Sequence, residues 1–183
     1  MATLVLRPNA AGSITQLAKS GSGGNNYDRV DEETANDADY VWNSDDITSS
    51  KYDLYNIPNH GAESGDISKI AIYGRCKKTG MNAGSCAFCL RTGSTTTYYS
   101  TTWRPSSYAE YNKEWSTNPR TGVAWTWTDI DGLQIGFQGN NAYDSEMPGN
   151  AYLYCSQLWV VITYTPAANV PASMYHRRQQ GMG

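Results

Sequence analysis

The chain predicts an all-β fold: a two-sheet antiparallel sandwich of jelly-roll type with about nine strands, one short helical turn and an extended C-terminal arm. Three observations carry this. Polar runs rich in Gly, Ser, Thr and Asn recur at intervals of roughly ten residues. The stretches between them are enriched in Val, Ile, Tyr and Trp and alternate with period two. Finally, the last such stretch, "AYLYCSQLWVVITYTP", is apolar on both faces from Leu158 to Tyr164, as a strand in mid-sheet covered on both sides would be. At 183 residues the chain fits one domain able to bury its own core. Residues 1–165 are read as the sandwich and 166–183 as the arm.

Each strand is read from its own composition. Thr3 to Leu6 is a short β-branched and leucine run, followed by Tyr27 to Val30 and the aromatic Tyr40 to Trp42. Lys51 to Ile57, Ile67 to Lys77 and Ser85 to Thr92 are longer runs between glycine-containing breaks. Ser107 to Trp115 alternates polar and aromatic residues, and in Leu133 to Gln138 the side chains of Leu133, Ile135 and Phe137 share one face. Tyr152 to Tyr164 closes the domain. A helical turn is expected in "WTDIDGL", with Thr128 as its cap and Asp129 and Asp131 at its positive end. A hairpin turning about Met81 would pair Ile72 with Leu90, Gly74 with Phe88 and Cys76 with Cys86, all matched in polarity or size.

The charge balance, 14 basic against 17 acidic residues, argues against a body that binds nucleic acid or an anionic membrane. The opening "MATLVLRPNAAGS" has no apolar signal core and no window suits a transmembrane helix, so synthesis in a cytoplasm is the expectation. Cys86 and Cys89 form a C-x-x-C, but residues three apart on a strand face opposite ways, which disfavours a shared metal. Buried thiols and a Cys76 to Cys86 disulfide are the alternatives. Neither a metal nor an organic cofactor is expected.

The segment from Tyr27 to Asp46 holds eight of the 17 acidic residues. Asp28, Asp31, Asp37 and Asp39 are read as a solvated acidic face or negative docking surface, with loop calcium as the alternative. His60 and His176 are not placed as bases of a nucleophilic triad, and no phosphate loop or dinucleotide fingerprint occurs, so no enzyme is expected. Trp125 and Trp127, two apart, would share a face and offer stacking rings to a glycan. The competing reading is that they cover the end of the core.

Two pieces, "WSTNPRTGVAWTWTDIDGLQIGFQG" and "LYCSQLWVVITYTP", resemble the closing portion of β-sandwich domains in structural proteins of tailed phages and related viruses, and in some microbial surface proteins. "LRPNAAG" and "YDRVDE" are fainter echoes. The resemblance implies a virion accessory protein made in the host cytoplasm, such as a capsid decoration or other head or tail protein, that docks on other virion subunits as a homo-oligomer or lattice. The arm, with Met174, Tyr175, His176, Arg177 and Arg178, would then clasp a neighbour's acidic surface around Asp28 and Asp31. The chain's end soon after "TYTP" adds to the expectation of a virion over a cell wall. The alternative is a secreted or surface-displayed carbohydrate-binding or adhesin module using its exposed aromatics.

Overall fold

The computed structural model describes residues 1–43, 50–80, 84–140 and 151–168. Among these residues eleven strands form two antiparallel sheets packed face to face. The first sheet contains β1 (Ala2–Leu6), β3 (Ala18–Lys19), β4 (Val41–Asn43), β6 (Gly65–Thr79), β9 (Ala109–Trp115) and β11 (Tyr152–Pro166). The second contains β2 (Ala10–Thr15), β5 (Lys51–Asn56), β7 (Ser85–Thr92), β8 (Tyr98–Tyr99) and β10 (Leu133–Asn140). The chain passes repeatedly from one sheet to the other, which buries both inner faces against each other. The fold class read from the sequence is therefore correct.

Three short strands, β2, β3 and β8, carry too little hydrophobic pattern to be read in advance. "YDRV" is not a strand: Tyr27–Arg29 forms a single tight helical turn. The helix in "WTDIDGL", α1, spans Trp127–Asp131, and its cap is Thr126, not Thr128. Thr126 accepts from the Asp129 amide while the Asp129 side chain accepts from the Thr126 amide, a reciprocal capping box.

The hairpin about Met81 is a correction. β6 pairs with β11 and β9, whereas β7 pairs with β10 and β8. The two strands lie in opposite sheets, and their matched residues meet through the core. A Cβ on Gly74 would stand 2.6 Å from Cε1 of Phe88. The size matching was real, but side chains facing across a sandwich obey the same complementarity as side chains paired within a sheet. All four cysteines are buried free thiols. Burial of Cys89 pushes its thiol well above the ordinary range.

β11 lies in mid-sheet, as its composition required. One edge pairs with β6 along most of its length; the other is shared by β4, opposite Leu153 to Cys155, and β1, opposite Val160 to Tyr164. The gap between β4 and β1 is filled by a loop. Leu158 donates its amide to the Val30 carbonyl, and the Gln157 side chain donates to the carbonyls of Glu32 and Glu33. Leu153, Cys155, Leu158, Val160 and Ile162 face the core, joined by Ile70, Ile72, Phe88, Leu90, Ile135 and Phe137. The opposite face of β11 is not covered by another layer, which corrects the expectation of two covered sides. It carries half-buried Tyr152, Tyr154, Trp159 and Val161.

Candidate binding site

The outer face of the first sheet is where the unexpected aromatic surface lies. A solvent-facing sheet face ordinarily carries polar side chains. Here Tyr73 of β6 stands opposite Trp159 of β11, their rings stacked at 5.4 Å and 9°. On the β1 side, the Arg7 guanidinium carbon lies 5.4 Å from the centre of the Trp159 ring. Arg7 is fixed there because its Nη1 donates to the Glu32 carbonyl at 2.9 Å. The indole is thus oriented by a ring and a cation, at little further entropic cost on binding.

Trp159 borders a cleft of about 600 Å³ that opens where the chain crosses from β1 to β2. Its walls include Arg7, Asn9, Asp31, Glu33 and Pro58. The two acids come from the loop that fills the edge of β11, so the hydrogen bonds of Gln157 position them. Burial, aided by the nearby charges of Asp28 and Asp39, raises the Asp31 carboxyl above its usual range. Glu32, between them in sequence, is pushed up to about 7, first by burial and then by Asp39 and Asp31.

Asp28, Asp37 and Asp39 of this segment are engaged within the domain. Asp37 receives both Nε and Nη2 of Arg75, at 2.8 and 2.7 Å, and the Ser156 hydroxyl at 2.9 Å. That pairing holds the Asp37 carboxyl below its ordinary range. Asp39 receives Arg29 and Ser20, and Asp28 accepts from the Asn25 amide at 2.6 Å. Among the described residues no group of three or more His, Cys, Asp or Glu is placed to hold a metal ion. Asp37 and Asp39 thus answer arginines of their own domain, and Asp31 lines the cleft. The clasp residues Met174, Tyr175, His176, Arg177 and Arg178 lie outside the described residues.

Trp125 and Trp127, read as a cover for the end of the core with glycan stacking as the alternative, sit away from this cleft. Trp125 is only 3% exposed and donates its indole N–H to the Trp115 carbonyl at 3.0 Å. Trp127 donates to the Gly65 carbonyl, stacks on His60 at 4.9 Å and meets Tyr164 edge-on. His60 is in turn held by Asp131, whose carboxyl accepts both the His60 amide and its ring nitrogen. The pair closes the end of the sandwich, beside a smaller cleft of about 340 Å³. Trp159, Tyr73 and Arg7 were not singled out from sequence. The available signal was the apolar second face of the last strand, which in an antiparallel sandwich must meet solvent or a ligand.

No family model matches the chain, and no curated protein matches it. Among solved structures it is similar to the CBM22-1 xylan-binding domain from Paenibacillus barcinonensis, at 9% identity and a TM-score of 0.43, over 87% of each chain. It is also similar to the CBM36-1 domain of a multidomain xylanase from the hindgut metagenome of Trinervitermes trinervoides, at 14% identity and a TM-score of 0.36, over 92% of this chain and 100% of that one. Both are named as CBM domains and neither as a virion component, against the virion, capsid-decoration and phage expectation, which is not taken further. No described helix is long and apolar enough to cross a membrane.

Proposed function

We propose that the chain is a non-catalytic carbohydrate-binding module, working outside the cell or at its surface, with its contact site in the cleft beside Trp159. The observation that supports this reading is Trp159 itself, a half-buried indole on an outer sheet face at the mouth of a cleft that also presents Asp31 and Glu33. A pyranose ring has an apolar C–H face and a rim of hydroxyls. The indole offers the first an apolar platform. Carboxylates accept from the second, each oxygen taking hydroxyl donors, while Arg7 and Asn9 supply donors in return.

Affinity electrophoresis through gels containing neutral polysaccharides tests the reading. Migration of the protein is expected to be retarded by at least one of them. Trp159→Ala should weaken that retardation about tenfold, with an unchanged circular dichroism spectrum. Reducing ends should not accumulate in the retarding polysaccharide, since the site is assigned binding alone. If no polysaccharide retards the native protein, the reading fails; if reducing ends appear, its non-catalytic half fails.

A further inference from the structure

The same outer face carries a second ring cluster that the cleft does not use. Trp42 of β4 stacks on Tyr154 of β11 at 5.9 Å and 11°, and Tyr40 meets Tyr154 edge-on at 5.1 Å. Lys77 of β6 places its ammonium 4.8 Å from the Tyr154 ring centre and 4.4 Å from that of Tyr108. In a regular strand Tyr154 and Trp159, five apart, would face opposite ways. They share the outer face because the strand is irregular between Cys155 and Gln157, where the register against β6 slips by one. Their partners across the sheet, Lys77 and Tyr73, are four residues apart, which sets the two clusters roughly 13 Å from each other along the strand.

Between the clusters lies the Asp37 to Arg75 ion pair, whose charges answer each other and leave little net field. Lys77 is engaged by two rings, and the cleft end presents two carboxylates that would repel a polyanion. We propose, resting on the carbohydrate-binding reading, that the Trp159 cleft and the Trp42 to Tyr154 cluster are two contacts for one uncharged linear polysaccharide laid along β11. The module then recognises internal stretches of a chain and holds single sugars poorly, because the second contact is made at high effective concentration once the first has formed.

The test is isothermal titration with neutral gluco-, manno- and xylo-oligosaccharide ladders from disaccharide to hexasaccharide. Affinity should climb steeply with length. Trp42→Ala should lower hexasaccharide affinity about tenfold while leaving disaccharide affinity within about twofold, and Trp159→Ala should lower both. Trp42→Tyr, which keeps a ring in the same strand, should retain most of the binding and guards against a folding defect. Added salt should change little, as for an uncharged ligand. If disaccharides bind as tightly as hexasaccharides, or Trp42→Ala spares the hexasaccharide, the two-contact proposal is overturned while the module reading survives. A marked preference for polygalacturonate overturns its uncharged ligand. No binding at any length overturns both readings together.

Discussion

Gly74 of β6 and Phe88 of β7 face each other from opposite sheets, so close that a Cβ on the glycine would stand 2.6 Å from the phenylalanine ring. Gly74 is therefore a packing requirement. Gly74→Ala is expected to destabilise the domain by about 1–3 kcal/mol through overpacking, read from urea denaturation midpoints. Combining it with Phe88→Leu should cost less than the sum of the two single changes, because the smaller side chain yields the space. Strict additivity would argue that the pair does not touch.

Asp53 is a buried carboxylate with four donors. It accepts the amides of Gln16 and Leu17 at 2.6 and 2.8 Å, the Asn26 side chain at 2.6 Å and the Tyr55 hydroxyl at 2.9 Å. Asp53→Ala should cost about 3 kcal/mol or more, since several of these donors lose their partner in a site closed to water. Asp53→Asn should also destabilise, because one acceptor becomes a donor aimed at donors. An Asp53→Ala variant with the native urea midpoint would contradict this network.

Glu32 makes stability depend on pH. Its carboxyl is raised from 4.5 to about 7, chiefly by burial and then by Asp39 and Asp31, with Asp39 itself held by Arg29 and Ser20. The folded state thus favours the neutral acid. Its contribution is complete below pH 4.5 and is lost as pH rises through 7. Glu32→Gln, which stays neutral, should gain stability relative to the native chain as pH is raised across that window. A difference that stays constant with pH would show that Glu32 does not titrate there.

Asp31→Asn combined with Glu33→Gln should weaken polysaccharide binding while leaving the thermal midpoint nearly unchanged. Both residues line the cleft, and the loop that carries them is anchored through main-chain carbonyls. A fall in stability matching the fall in binding would mean that the acids serve the fold.

The sandwich was legible because β-branched and aromatic runs between polar breaks mark strands, and because the final strand was too apolar for an edge. Connectivity was not. Gly74 against Phe88 satisfies both a hairpin and a face-to-face stack, and composition does not distinguish them. The site was hidden for a related reason. Trp125 and Trp127 are conspicuous in sequence but cap the end of the core, whereas Trp159 sits inside an apolar run that resembles core throughout. Its outward direction is fixed by a local irregularity that side-chain periodicity cannot reveal, and its carboxylate neighbours arrive from a loop more than a hundred residues earlier.

The irregularity beside Ser156 gives the last strand a phase. Upstream of it odd-numbered Leu153 and Cys155 look inward; downstream, even-numbered Leu158, Val160 and Ile162 do. Straightening the strand with Ser156 kept in the ladder would invert everything after it, turning the indole at 159 into the core and the three aliphatic side chains out to water. Deleting Ser156, in contrast, would restore plain alternation and keep their directions. The bulge, rather than the composition of the strand, thus decides whether the protein has a surface to bind with at all.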